Sequence, residues 1–205
     1  MKRRLGLFLL ILISSAFSAE VGTPVLRHRF IVLPDSKLMI DGKTNINAFQ
    51  CAISRYCGTD TLVLQEGGVN ARPVFVKGFV RLEASGFDCG MAAMTHDFNK
   101  TIKAKEHPVI SIDFKAFEKV PSLNCGEERF KSTLAIGMAG RSNTFDEECT
   151  VEARENGVIH LKGGRAFQFS DFGLETPKHA MGLIKVKDDL DVQFHLVLKI
   201  DASRW

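Results

Sequence analysis

The residues that could do chemistry in this chain are scattered. Cys51, Cys57, Cys89, Cys125 and Cys149 form no CxxC pair and match no common zinc spacing. His28, His96, His107, His160 and His195 also fall at no ligand spacing, so no metal is expected. No serine, cysteine or carboxylate has the partners that mark a nucleophile or an acid–base pair. Asp171 sits in the turn Ser170-Asp171-Phe172-Gly173. There, capping the turn with its own side chain is a simpler role than catalysis. No catalytic residue and no cofactor is therefore assigned. Arg141, Lys178 and His179 lie in predicted turns and are the candidates for meeting a polar or anionic head group. Solvated surface charge is the plainer reading of the same three.

The cysteines also bear on where the protein works. Lys2, Arg3 and Arg4 precede the apolar run Leu5 to Ile13, which is followed by Ser14, Ser15 and Ala16. A basic start, a short apolar core and small residues at Ala16 and Ser18 predict a signal peptide over 1–19 and a mature domain over 20–205. The apolar core is shorter than the ~20 residues that span a bilayer, which disfavours an uncleaved anchor. A periplasmic or secreted protein is expected, in a compartment where disulfides form. Five cysteines leave at least one thiol unpaired within the chain. Cys89 and Cys125 occupy Asp-Cys-Gly and Asn-Cys-Gly turns and form one expected bridge. Cys51 and Cys149, both on inward strand positions, form the second, which leaves Cys57 free. A reactive cysteine is the alternative, although nothing nearby in sequence obviously lowers a thiol pKa.

The formal net charge is +3, and it falls to about zero once Lys2, Arg3 and Arg4 are set aside. A near-neutral domain of roughly 185 residues argues for one domain and against a nucleic-acid or membrane-surface partner read from charge alone. Sixteen Phe stand against one Tyr and one Trp, which favours a large dry interior. No apolar run after the signal is long enough to be a transmembrane segment.

Most of the chain has the period of strands. Short apolar runs at Phe30–Leu33 and Lys37–Ile40 close on turn residues. Alternation over 45–53 puts Asn47, Phe49, Cys51 and Ile53 on one face. Over 74–82 it aligns Val74, Val76, Gly78, Val80 and Leu82. Strands are also predicted over 109–117, 130–136, 145–151, 158–161, 166–169 and 190–200. One segment differs: Met91, Met94, Phe98 and Ile102 recur at helical spacing before Pro108. This is an amphipathic helix of about three turns. Many antiparallel strands with one helix suggest a closed barrel or a sandwich.

Three stretches, in order, resemble the YceI-like family of bacterial lipocalin-like polyisoprenoid-binding proteins. They are Ser36 to Phe49, then Phe87-Asp88-Cys89-Gly90 through the helix to Pro108-Val109-Ile110, and Ser170-Asp171-Phe172-Gly173-Leu174-Glu175-Thr176-Pro177 followed by Gly182 to Asp188 and the last strand. The Asp-Phe-Gly triplet also occurs in kinases, but no glycine-rich phosphate loop or His-Arg-Asp segment accompanies it. The resemblance implies a mainly β fold, an eight-stranded antiparallel lipocalin-like barrel with one inserted amphipathic helix and an elongated apolar cavity. It also implies a polyisoprenoid ligand of the quinone or polyprenyl phosphate type, bound without catalysis. Cavity candidates are Phe49, Ile110, Ile112, Phe114, Leu134, Ile136, Phe169, Phe172, Met181 and Phe194. Met91, Met94 and Met181 are candidates for an adaptable lid. In this register Ile112→Trp should block a long tail at an overpacking cost of ~1–3 kcal/mol. The alternatives are an enzyme acting on the lipid head group and a solidly packed stress-response or interaction protein. A homodimer is left open.

Overall fold

Alternating apolar residues become strands throughout the computed structural model. It describes residues 25–201 except 69–70, 124–125, 155 and 180–182, and only the backbone of Lys178 and His179. The predicted signal segment, Cys125 and Met181 lie outside the described residues. The strands are β1 (Arg27–Val32), β2 (Lys37–Thr44), β3 (Ala48–Ile53), β4 (Thr61–Gln65), β5 (Val74–Lys77) and β6 (Phe79–Glu83), followed after the helix by β7 (Val109–Phe117), β8 (Gly126–Met138), β9 (Arg141–Ala153), β10 (Val158–Gln168), β11 (Lys178–His179) and β12 (Ile184–Ile200). Between β6 and β7 lies the helix α1 (Ala92–Thr101).

Eight antiparallel strands follow one another in a ring, β1-β4-β5-β7-β8-β9-β10-β12, which closes because β1 also pairs with β12. Closure leaves no free edge at β1, whose two sides pair with β4 and β12. β12 is long enough for β1 and β2 to share one of its edges while β10 pairs along the other. Its end pairs with β1 at Leu198–Ile200, and its middle pairs with β2 from Val186 to His195. Ser36, buried where β1 gives way to β2, holds that join: the Val197 N–H donates to its Oγ at 2.9 Å. β2 then turns through Thr44–Asn47 into β3, and the Thr44 Oγ1 accepts the N–H groups of Ile46 and Asn47. One continuous apolar core fills the ring. Phenylalanine rings meet across it: Phe114 lies 5.8 Å from Phe194, and Phe117 lies 4.8 Å from Phe130, both edge-on. Such edge-on pairs favour close packing of rings that have no polar atoms to satisfy.

Three sequence expectations are corrected. The single strand over 74–82 is two strands, because Gly78 breaks it. Its backbone lies so close to the Phe114 carbonyl of β7 that no side chain would fit. The break reverses the face, so Val80 and Leu82 are buried while Val74 and Val76 are exposed. Conversely, the two strands expected over 158–161 and 166–169 are one, β10. Gly163 and Gly164 do not turn the chain. Gly163 makes room for the Phe194 ring and the Cys149 sulfur. The strand β4 has no counterpart in the sequence reading.

The third correction is the disulfide. Cys51 bonds to Cys89, with Cα atoms 4.0 Å apart, so neither Cys89–Cys125 nor Cys51–Cys149 forms. The cause is a two-way backbone bridge between Ala52 and Asp88, with both N–H···O distances 2.9 Å. In antiparallel register that bridge sets Cys51 opposite Cys89, where Cα atoms approach closely. Cys57 is free and exposed, and Cys149 is free and buried. Burial pushes the Cys149 thiol up to about 12, with Glu147 adding to the shift. A thiol held so far above its ordinary value is a poor nucleophile at neutral pH.

Asp171 caps the 3-10 turn over Phe169–Phe172, its carboxylate accepting the Gln168 N–H at 2.8 Å. Asp171→Ala should therefore destabilise by about 1 kcal/mol, read from the urea midpoint. An unchanged midpoint would contradict the capping role.

On the outer wall His160 of β10 and His195 of β12 share a hydrogen bond, Nδ1 to Nε2, at 2.8 Å. One nitrogen donates and the other must accept, so the pair cannot be doubly protonated as it stands. Burial holds both imidazoles below the usual 6.5, and Arg154, Lys162 and Lys37 add to this, against Glu152. The unfolded chain then binds more protons than the folded one as pH falls below 6.5. Stability from this pair is present at neutral pH and lost through that acid window. Urea midpoints measured across it should fall for the wild type and fall less for His160→Gln.

Candidate functional site

The site is built at one end of the ring, where three kinds of element meet. The hairpin β2–β3 contributes Thr44, Ile46, Asn47 and Phe49. The helix contributes the stripe Met94, Phe98 and Thr101, together with Met91 and Ala93 at its start. The third wall is the Phe169 turn, Pro177 and the first residues of β12, Ile184 and Val186. These side chains line an apolar pocket of about 320 Å³ that is open on one side. That is near the lower end of the range for small-ligand sites. Phe49 can lean into this space because its partner across the hairpin is Gly42, whose missing Cβ leaves room for the ring.

The helix is held over this end from both sides. Before it, Cys89 is bonded to β3, and the Cys89 N–H donates to the Thr95 Oγ1 of the helix at 3.0 Å. Within it, Phe98 is buried with its ring 5.1 Å from Phe87. Met91 and Met94 line the pocket; Met181 is not among the described residues.

Beside the apolar pocket is a polar basin of about 630 Å³, lined by Lys100 and Lys103 of the helix end, Asp97, Thr101, Gly173, Glu175, Thr176 and Pro177. Asp97, Thr101 and Pro177 belong to both spaces, so the two adjoin. An apolar slot next to a polar basin can take a molecule with a greasy tail and a polar head. Arg141, the first residue of β9, lays its guanidinium against Gly173, which lines the basin, but does not itself line it. Lys178 and His179 form β11, in register with Lys185 and Ile184 of β12.

Of the expected cavity residues, Phe49 and Phe169 line this pocket. Ile110, Ile112, Phe114, Leu134, Ile136, Phe172 and Phe194 are buried in the continuous core of the ring. Thr44, Ile46, Ile184, Val186 and Pro177 were not singled out from sequence. They come from a hairpin tip and from strand ends, where alternation stops carrying information.

A second feature lies where β9 and β10 separate. β9 and β10 pair only from Thr150–Ala153 against Ile159–Lys162, and above that point they part. Glu147 and Arg165 approach each other across the gap at 3.8 Å, and Arg165 stacks over Phe145 at 4.9 Å. Burial raises the Glu147 pKa, against the pull of Arg165. Neither residue lines the apolar pocket. No three His, Cys, Asp or Glu side chains converge on a metal position among the described residues. No helix among them is long and apolar enough to cross a membrane.

Solved structures share this architecture. BcnA from Burkholderia cenocepacia superimposes with a TM-score of 0.58 at 17% identity, over 79% of this chain and 95% of that one. A polyisoprenoid binding domain from Saccharophagus degradans, implicated in plant cell wall breakdown, gives a TM-score of 0.60 at 9% identity, over 84% of this chain and 98% of that one. A mutant of the Campylobacter jejuni YceI protein gives 0.51 at 19% identity, over 69% and 81%. No family model and no curated protein matches the sequence. At these identities the likeness is one of fold. The chain has the YceI-like fold, a ring of eight antiparallel strands with, among the described residues, one α-helix.

Proposed function

We propose that the protein is a non-enzymatic binding protein for a polyisoprenoid lipid, working in the periplasm or secreted. The observation that carries this reading is the apolar pocket under α1, which adjoins a polar basin. A tail in the pocket gains roughly 0.8 kcal/mol for each CH₂ removed from water, with no need for polar specificity. A quinone or phosphate head in the basin finds the ammonium donors Lys100 and Lys103. Met91 and Met94 are unbranched and repack around tails of different length. The Cys51–Cys89 bond suits an oxidising compartment, as does the signal-like N-terminus. The fold is shared with a polyisoprenoid binding domain. Native mass spectrometry of gently purified protein should show a bound lipid. The delipidated protein should take up ubiquinone or a polyprenyl phosphate from micelles. A ligand-free spectrum together with no uptake of either lipid overturns the reading.

A further inference from the structure

We infer that the helix end of the ring is a membrane-docking surface that sets the pocket mouth directly on a lipid bilayer. This deepens the proposed function and rests on it. Ile46, Met91 and Leu183 are 67%, 62% and 73% exposed, more than any other large apolar side chain described. All three gather at one place. Ile46 and Met91 line the apolar pocket. Leu183 is tied to the same hairpin by Asn45, whose Nδ2 donates to the Leu183 carbonyl at 2.9 Å and whose Oδ1 accepts the Lys185 N–H at 2.9 Å. Exposed apolar residues that rim an apolar pocket do not complete the protein's own core. They suit a partner whose surface is apolar just beneath a polar layer.

The charges name the partner. Lys43 on the hairpin and Lys185 and Lys187 on the neighbouring strand are exposed, and none pairs with a carboxylate among the described residues. The acidic Asp41, Asp189 and Asp191 lie further along the same strands and share a hollow with Lys43 and Lys187, which leaves Lys185, next to Leu183, as the cation outside that acidic group. Glu175 lines the basin, and Asp97 lies where basin and pocket adjoin. An apolar tip flanked by lysines fits an anionic bilayer, where each cation near the surface adds attraction. A water-insoluble tail then passes from bilayer to pocket without crossing water.

The test separates docking from lipid binding. The delipidated wild type, Leu183→Asp and the pair Lys43→Glu with Lys185→Glu are co-sedimented with vesicles of phosphatidylethanolamine and phosphatidylglycerol, and with vesicles of phosphatidylcholine alone. None of these three positions lines the pocket, so uptake of polyprenyl phosphate from micelles should be unchanged. Leu183→Asp should weaken binding to both vesicle types by roughly tenfold, the scale of one buried aliphatic side chain. The lysine pair should weaken binding only to the anionic vesicles. Transfer of polyprenyl phosphate from vesicles to protein should slow in step with each loss. Wild-type sedimentation no greater than that of Leu183→Asp overturns docking even if micelle uptake is intact. Failure of wild-type micelle uptake overturns the lipid reading, whatever the vesicles show.

Discussion

Met94→Trp should reduce uptake of a polyprenyl lipid at least about tenfold while leaving the ring folded. Met94 is half-buried on the pocket face of α1, one turn before Phe98. The pocket holds only about 320 Å³, and an indole placed there fills space the tail needs. Excluding two CH₂ groups forfeits roughly 1.6 kcal/mol, more than a tenfold change in affinity. The fold should tolerate the change because the added bulk enters a void rather than a packed region, where overpacking costs ~1–3 kcal/mol. The measurement is a titration with ubiquinone or polyprenyl phosphate, alongside a thermal melt. Unchanged affinity in a folded Met94→Trp protein would place the ligand elsewhere. Ile112→Trp is the contrasting variant. Ile112 is fully buried among packed side chains, so its main effect should be lost stability.

The difference between those two positions shows which parts of the site were legible. Strand faces can be read wherever burial alternates, and Ile110, Ile112 and Phe114 are buried on one face of β7 as their spacing implies. Alternation does not say whether an inward residue meets a void or another side chain. Here Phe114 and Phe194 meet each other. The helix was visible in Met91, Met94, Phe98 and Ile102 because helical spacing stands out among strands. The hairpin tip at Ile46 and the start of β12 at Ile184 were not. Their role comes from where the chain ends up, not from a repeating pattern. Gly78 is a similar case, since the face reversal follows from the approach of the Phe114 carbonyl, a contact between residues far apart in sequence. β4 was missed because Leu62-Val63-Leu64 is too short a run to stand out. The ordered motifs from Ser36 to the last strand did carry the fold, at a level of identity where no single one of them would.

The cysteine pairing was the least legible feature, and it should have a large energetic consequence. Breaking the Cys51–Cys89 bond should cost about 4 kcal/mol, because it closes a loop with a sequence separation of 38. For a domain of this size that corresponds to a drop in Tm of roughly 8–15 °C. Cys51→Ala with Cys89→Ala is the suitable double variant, since both positions are buried and serine would leave hydroxyls to satisfy. Reduction of the wild type should produce much of the same drop. Cys149 is a poor substitute partner, because burial keeps its thiol protonated. The bond also fixes the start of α1, which begins at Ala92, just after Cys89. The Cys89 N–H bond to Thr95 depends on that anchorage. The double variant should therefore lose ligand affinity even below its melting temperature, since the helix is one wall of the pocket. A melt shifted by only a degree or two, or a nonreducing peptide map joining Cys89 to Cys125, would refute the pairing. If both effects appear together, the disulfide couples the oxidation state of the chain to a formed pocket, and a reduced chain would be a poor lipid binder.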